Sequence, residues 1–206
     1  MTDPVNAAKP SAHPHQEKEA SSWVKRWSHL VKPGGCVLDV ACGHGRHAYW
    51  FHQLNHPVVV VDRSQDAIDS IDIAALACKK VVADIENEPW PLTGLQFDAV
   101  VVTNYLWRPL MPALLASLAP GGVLIYETFA IGNETVGKPS NPHFLLRSGE
   151  LLHVCQHLAV IGFEDGFLAP ADNASARFVQ RIAAVKTPAA TPEPVRYLLA
   201  QKTCTD

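Results

Sequence analysis

Five short apolar runs recur along the chain, and segments with helical spacing follow most of them. The runs are Cys36–Val40, Pro57–Val61, Lys80–Ala83, Phe97–Thr103 and Val123–Glu127. They lack the apolar/polar alternation of a strand with one wet face, so both faces must be covered, as in a parallel sheet flanked by helices. Helical segments are expected at His44–Leu54, at Ser64–Leu76 with Ser64 as its cap, and at Leu110–Leu118, ended by Pro120-Gly121-Gly122. Alternating βα units predict a doubly wound α/β fold. After it come a helix over Ser148–His157 and two strands, Val160–Leu168 and Arg177–Lys186, joined by a turn at Ala169–Asn173. They read as an antiparallel hairpin at the end of a mostly parallel seven-stranded sheet.

Composition removes several classes. The 206 residues are 48% apolar and 18% charged, enough for one core and too apolar for a disordered chain. The net charge of -3 and the absence of a Lys/Arg run argue against a nucleic-acid partner. The longest apolar runs, Ala99–Thr103 and Val58–Val61, are too short to span a bilayer. Five scattered cysteines without CxxC spacing point to reduced thiols and a cytoplasmic setting. Residues 1–20 are polar and Pro-rich, without the apolar core of a secretory signal, and read as a mobile leader; 21–186 form the domain and 187–206 a tail. A helix over Glu19–Leu30 places Trp23 and Trp27 on one face, either packed on the core or closing over a site.

The chemistry lies in Val37–Ala48. An acidic residue, Asp39, is followed by a turn through Gly43 and Gly45 into a helix, where small Ala48 completes a G-x-G-x-x-A pattern. Asp62 directly follows the second strand, 17 residues beyond Gly45, where a carboxylate accepts a ribose diol or simply caps the next helix. Asp84 follows the third strand, placed for an adenine amine, with Ile85 placed to lie against the ring. A carboxylate at Asp39 repels a pyrophosphate and attracts a cation, which favours S-adenosylmethionine (SAM) over a nicotinamide dinucleotide.

With these residues in view, the chain resembles a class I SAM-dependent methyltransferase. Leu38–Gly45 resembles that family's first motif, with Ala41 in place of its first glycine. Val60-Val61-Asp62 resembles the second motif, Ala83-Asp84-Ile85 the third, Phe97–Val101 the fourth strand, and Leu118–Leu124 the turn into the fifth. Within the family, the chain is most similar to small bacterial proteins of the tellurite-resistance, TehB-like kind. The resemblance implies SAM as cofactor, held by Asp39, Ala41, Gly43, Gly45, Asp62, Arg63, Asp84, Ile85 and Asn104.

The acceptor side is expected beyond the fourth strand. Tyr105 and Trp107 are placed to flank a cationic centre, and Arg108 either holds an anionic group or is solvated. Thr128–Leu146 is long enough for a lid and carries His143, Phe144 and Arg147, with Glu127 at the strand end beside it. Tyr105 and His143 are the candidate catalytic residues; His143 is a general base or a structural loop histidine. The segment after the fourth strand is not the N-P-P-Y/F motif of amino-directed methyltransferases. His153 and His157, at i and i+4, lack a third ligand nearby in sequence, and no metal is assigned. The expected activity is methyl transfer to a small-molecule acceptor by in-line displacement. Its competitors are a SAM-binding protein without catalysis, a modifier of RNA or protein, and an NAD(P)-linked oxidoreductase. Oligomeric state is not legible.

Overall fold

Seven strands form one sheet in the order β3-β2-β1-β4-β5-β7-β6. The computed structural model describes residues 19–72, 78–169, 175–188 and 195–199. The strands are β1 (Val37–Val40), β2 (Val58–Asp62), β3 (Lys79–Val82), β4 (Phe97–Thr103), β5 (Leu118–Phe129), β6 (Ala159–Leu168) and β7 (Arg177–Val185). β1 to β5 run parallel, and β7 lies antiparallel between β5 and β6. The strand order reverses at β1/β4, so the carboxyl ends of those two strands flank the crevice where ligands of open α/β sheets bind.

Each strand feeds two cores because successive side chains point to opposite faces. Leu38, Val40, Val59, Val61, Val100 and Val102 pack on one face. Val37, Val58, Val60, Ala99 and Val101 pack on the other. That second face is covered by helix α2 (Arg46–Gln53), through Ala48 and Phe51, and by helix α1 (Ser22–Trp27). Trp23 and Trp27 are each 1% exposed, and Trp23 donates its indole N–H to the Ile182 carbonyl at 3.2 Å. The core reading of the tryptophan pair holds, and neither is free to act as a lid.

Several elements differ from expectation. Helices α3 (Gln65–Asp69), α4 (Met111–Ala116) and α5 (Glu150–Val154) are shorter than the sequence periodicity implied, though Ser64 does cap α3 by accepting from the Ala67 amide at 3.2 Å. Residues 73–77 of the expected third helix and 170–174 of the hairpin turn lie outside the described residues. α5 stops at Val154, so His153 and His157 do not share a helix. Pro120-Gly121-Gly122 does not simply end a helix; it lies inside β5, where the strand register shifts against β4. A Cβ on Gly122 would sit 2.8 Å from the Phe97 carbonyl oxygen, so glycine is what lets β5 approach β4 there.

The expected lid is tied down. Thr128 and Phe129 belong to β5, and Ala130 pairs with Leu146. Asn133, 1% exposed, donates to the Pro139 carbonyl and accepts from the Phe178 amide.

Candidate functional site

The turn after β1 carries three left-handed residues in five: Ala41 at φ +52°, Gly43 at +52° and Gly45 at +75°. Ala41 adopts a conformation that glycine takes without steric cost. The two glycines serve different ends. A Cβ on Gly45 would lie 2.8 Å from Ile71 Cδ1, so that glycine serves packing. A Cβ on Gly43 would meet nothing within 4 Å, so the backbone there faces open space.

Asp39 stands behind this turn, 1% exposed, and its Oδ2 has no hydrogen-bond partner. Burial raises its pKa to about 7, Arg46 pulls against that rise, and Asp62 adds to it. Its neighbour His47, also 1% exposed, lies with Nδ1 3.9 Å from Asp39 Oδ1. His47 Nε2 accepts from the Ser21 amide at 3.3 Å, which assigns the ring proton to Nδ1. Burial, with help from Arg46, lowers the imidazole pKa to about 3, so the ring is neutral at physiological pH.

Asp62 accepts from the Gly43 amide (2.8 Å, Oδ2) and the Ser64 amide (2.9 Å, Oδ1), and so ties the end of β2 to the β1 turn. Each of its oxygens keeps a further lone pair for a ligand. Arg63 beside it is exposed. Asp84 accepts from the Glu86 and Asn87 amides and the Asn87 side chain; this last bond chiefly holds its carboxyl below the usual range. Ile85 is buried in the first core. The three expected carboxylates therefore leave three neighbouring strands at one edge of the sheet.

Beyond β4, Asn104 is exposed, at φ +55°, with its amide on the Glu127 carbonyl. Tyr105, Leu106, Glu86 and Phe144 line a cleft of about 240 Å³ together with Asn104 and the end of β5. The Tyr105 hydroxyl is buried without a hydrogen-bond partner, and burial and the nearby Glu86 raise its pKa well above that of a free phenol. Trp107 packs against the first core.

Arg108 differs from both expectations in that its partly exposed guanidinium is spent on internal partners. Its guanidinium binds Glu150 at 2.7 and 2.9 Å and donates to the His143 and Leu145 carbonyls at 2.8 Å each. It clamps the turn that carries Phe144. His143 and Arg147 are exposed, and their backbones take part in this same clamp.

Glu127 is 2% exposed, too deeply enclosed for an open acceptor ligand. It accepts from Ser21 Oγ at 3.1 Å and Arg181 Nη1 at 3.2 Å, with Arg177 Nη2 at 3.8 Å. Arg46 donates to Thr103 Oγ1 at 3.3 Å and is drawn electrostatically to Glu127 and Asp39. Sequence reasoning missed this arginine group. Arg46 stood inside the motif it quoted; Arg177 and Arg181 come to Glu127 only through the β5/β7 register, which pairs Glu127 with Arg181. Among the described residues, no three His, Cys, Asp or Glu side chains are grouped to hold a metal ion, and no helix is long and apolar enough to cross a membrane.

Comparison with known proteins bears on this arrangement. A family model described as a methyltransferase domain matches residues 37–122. A malonyl-[acyl-carrier protein] O-methyltransferase from Serratia marcescens is 30% identical over 107 residues, which cover 49% of this chain and 41% of that protein. The chain thus aligns with about two fifths of that curated relative. Among solved structures, TehB from Haemophilus influenzae superposes with a TM-score of 0.67 at 18% identity, covering 82% of this chain and 63% of TehB. A TehB-like SAM-dependent methyltransferase from Corynebacterium glutamicum gives a TM-score of 0.54 at 20% identity, over 80% of this chain and 87% of its own. The glycopeptide N-methyltransferase MtfA, solved with S-adenosyl-L-homocysteine, gives 0.57 at 17% identity, over 82% and 90%.

Proposed function

With a class I SAM-dependent methyltransferase domain as the premise, we propose that this chain is an enzyme that transfers the methyl group of SAM to a small-molecule acceptor. One observation carries the donor assignment: a fully buried carboxylate oxygen, Asp39 Oδ2, lacks a partner directly behind a turn that is open at Gly43. An orphaned buried acceptor is costly unless a ligand donor satisfies it. The ammonium of SAM is such a donor, and a pyrophosphate is not.

When bound, SAM supplies a methyl carbon already activated by its sulfonium. The chain's own work is then binding and orientation, which supply most of the catalysis in such a displacement. Asp39 receives the ammonium, Arg46 the methionyl carboxylate and Asp62 the ribose diol, while Asp84 and Ile85 hold the adenine. Ala41, Gly43 and Gly45 shape the turn that lets the ligand approach, Asn104 closes the methionyl end, and exposed Arg63 flanks the nucleoside side. Tyr105, still protonated at neutral pH, serves as a hydrogen-bond donor or a ring wall in the cleft rather than as a base. His47 is neutral and occupied, so it takes no proton from an acceptor.

The small volume of the cleft and the absence of a basic run support a small molecule over RNA. Free Cys36, Cys42, Cys78 and Cys155 support a reducing, cytoplasmic setting. Calorimetric titration with SAM, S-adenosylhomocysteine and NAD tests the donor. Saturable binding of the first two is the expected result; binding of NAD alone, or of none, overturns the proposal. Release of S-adenosylhomocysteine with small-molecule acceptors then tests turnover, and release only with RNA or protein would move the acceptor class.

A further inference from the structure

The cleft beyond β4 carries charge of one sign only. Of the residues that line it, Glu86 alone has a charged side chain. Among the described residues, no Lys, Arg or His lies within ion-pair distance of its carboxylate. The cations beside the lining residues in sequence do not meet it. Arg108 is spent on Glu150 and on the turn carbonyls, and Lys138 and Arg147 are exposed and do not line the cleft. Exposed Arg63 acts on Tyr105 against the larger influence of Glu86 and Asp84.

Three aromatic residues, Tyr105, Phe129 and Phe144, share the lining with Glu86. Phe144 is 46% exposed, yet the Arg108 clamp fixes its turn, so an aromatic side chain stays at the cleft. The Tyr105 hydroxyl is buried and unpartnered, and a phenol oxygen both donates and accepts. Of the residues proposed to hold the donor, Asn104 lines the cleft, while Asp39, Gly43, Asp62, Asp84 and Ile85 do not. The cleft therefore adjoins the donor side without being part of it.

We propose that Glu86 is the specificity-determining residue of this cleft and that the acceptor is a small molecule methylated on an amine nitrogen. A carboxylate and aromatic faces together attract a cation, whereas an anionic nucleophile is repelled by the same carboxylate. The amine reacts as the free base, having left its proton to solvent. Its lone pair forms the N–C bond to the methyl group while the C–S electron pair returns to sulfur. The products are an N-methylammonium and S-adenosylhomocysteine. Positive charge thus develops on nitrogen in the cleft, where Glu86 stabilises it more than it does the neutral amine. A free aliphatic amine is itself nucleophilic, so the missing N-P-P-Y/F motif does not weigh against it. The inference rests on the methyltransferase reading and deepens it.

The test is calorimetric binding to the full-length protein saturated with S-adenosylhomocysteine. The probes are benzylamine and butylamine against benzyl alcohol and butanol, matched in shape and differing in charge at neutral pH, with benzoate as the anion. At least one amine is expected to bind about 10-fold or more tightly than its alcohol, the size of one charge-assisted contact, and benzoate to bind more weakly than benzylamine. Glu86→Gln should erase the preference, Glu86→Asp should keep part of it, and both should leave SAM affinity within about twofold. Amines that bind no better than their alcohols overturn the proposal, as does benzoate binding above benzylamine; both results are read on the unaltered chain. A folded Glu86→Gln variant that keeps the preference also overturns it. So does one that loses SAM affinity about tenfold, which would place Glu86 on the donor. Failure of the wild-type chain to bind SAM is a separate outcome: it removes the methyltransferase reading first, and this proposal with it.

Discussion

With Asp39 as the proposed partner of the SAM ammonium, its burial couples donor binding to pH. With its pKa near 7, the carboxylate is about one-tenth ionised at pH 6 and nine-tenths ionised at pH 8. If the ionised form receives the ammonium of SAM, affinity for SAM falls about tenfold from pH 8 to pH 6. Asp39→Asn should bind weakly and with a flat profile over that range; titration calorimetry at several pH values checks it, and a wild-type profile equally flat removes the role. Stability moves the other way. The folded pKa lies above the ordinary value near 3.9, so between the two the native state holds more protons than the unfolded one. This group's contribution is present below about pH 4 and lost as pH rises through 7. The neighbouring positions give a second test. Asp62→Ala should weaken SAM by about 1–3 kcal/mol, since Asp62 both offers lone pairs to a diol and holds the Gly43 amide. Gly43→Val places a branched side chain in the open space at φ +52° and should abolish binding. An unchanged titration in either folded variant contradicts the donor assignment. The proposed donor carboxylates are legible as candidates because each sits at or just after the carboxyl end of a strand. The pairing of Glu127 with Arg181 is not, because the two lie 54 residues apart and are brought together by strand register.

At the scale of elements, the sheet explains what could be read in advance and what could not. Short, mostly apolar runs announce β1, β2 and β4, because burial on both faces leaves no alternation to misread. Helix lengths were overstated, since apolar spacing continues past the point where the backbone turns away. Pro120-Gly121-Gly122 reads locally as punctuation, while its conformation answers to β4 and β7: the Gly121 amide donates to the Lys186 carbonyl at 2.6 Å, and the Lys186 amide to the Gly122 carbonyl at 2.9 Å. No local signal carries that information. The packing of α1 on β6 is equally nonlocal. A Cβ on Gly162 would lie 2.3 Å from Trp27 Cζ2, in a strand where any larger side chain would otherwise be welcome. Gly162→Ala should therefore destabilise the fold by about 1–3 kcal/mol, the usual cost of overpacking, despite alanine's better strand entropy. Denaturant unfolding measures it, and an unaltered midpoint would show that α1 shifts freely.

At the scale of the whole molecule, the proposed donor residues and the fold that supports them have different extents. Asp39, Asp62 and Asp84 all fall within residues 37–122, the stretch matched by the methyltransferase-domain model. The same stretch cannot close either core. It lacks α1, whose Trp23 bonds Ile182 across 159 residues of sequence, and most of β5 with all of β7 and β6. Without them β4 becomes an edge strand with a bare apolar side, and Val101 and Val102 lose the Ile125 and Tyr126 neighbours that register places beside them. His47, beside Asp39, would also lose the Ser21 amide, which holds the imidazole in its neutral tautomer. A fragment of residues 37–122 is therefore expected to show no cooperative thermal transition and no SAM binding, although every proposed donor side chain is present in it. Circular dichroism melting with and without SAM decides the matter. A cooperative, SAM-shifted melt of the fragment would mean that the donor half folds by itself, and that the ties from Ser21 and Ile182 do not set the geometry of Asp39.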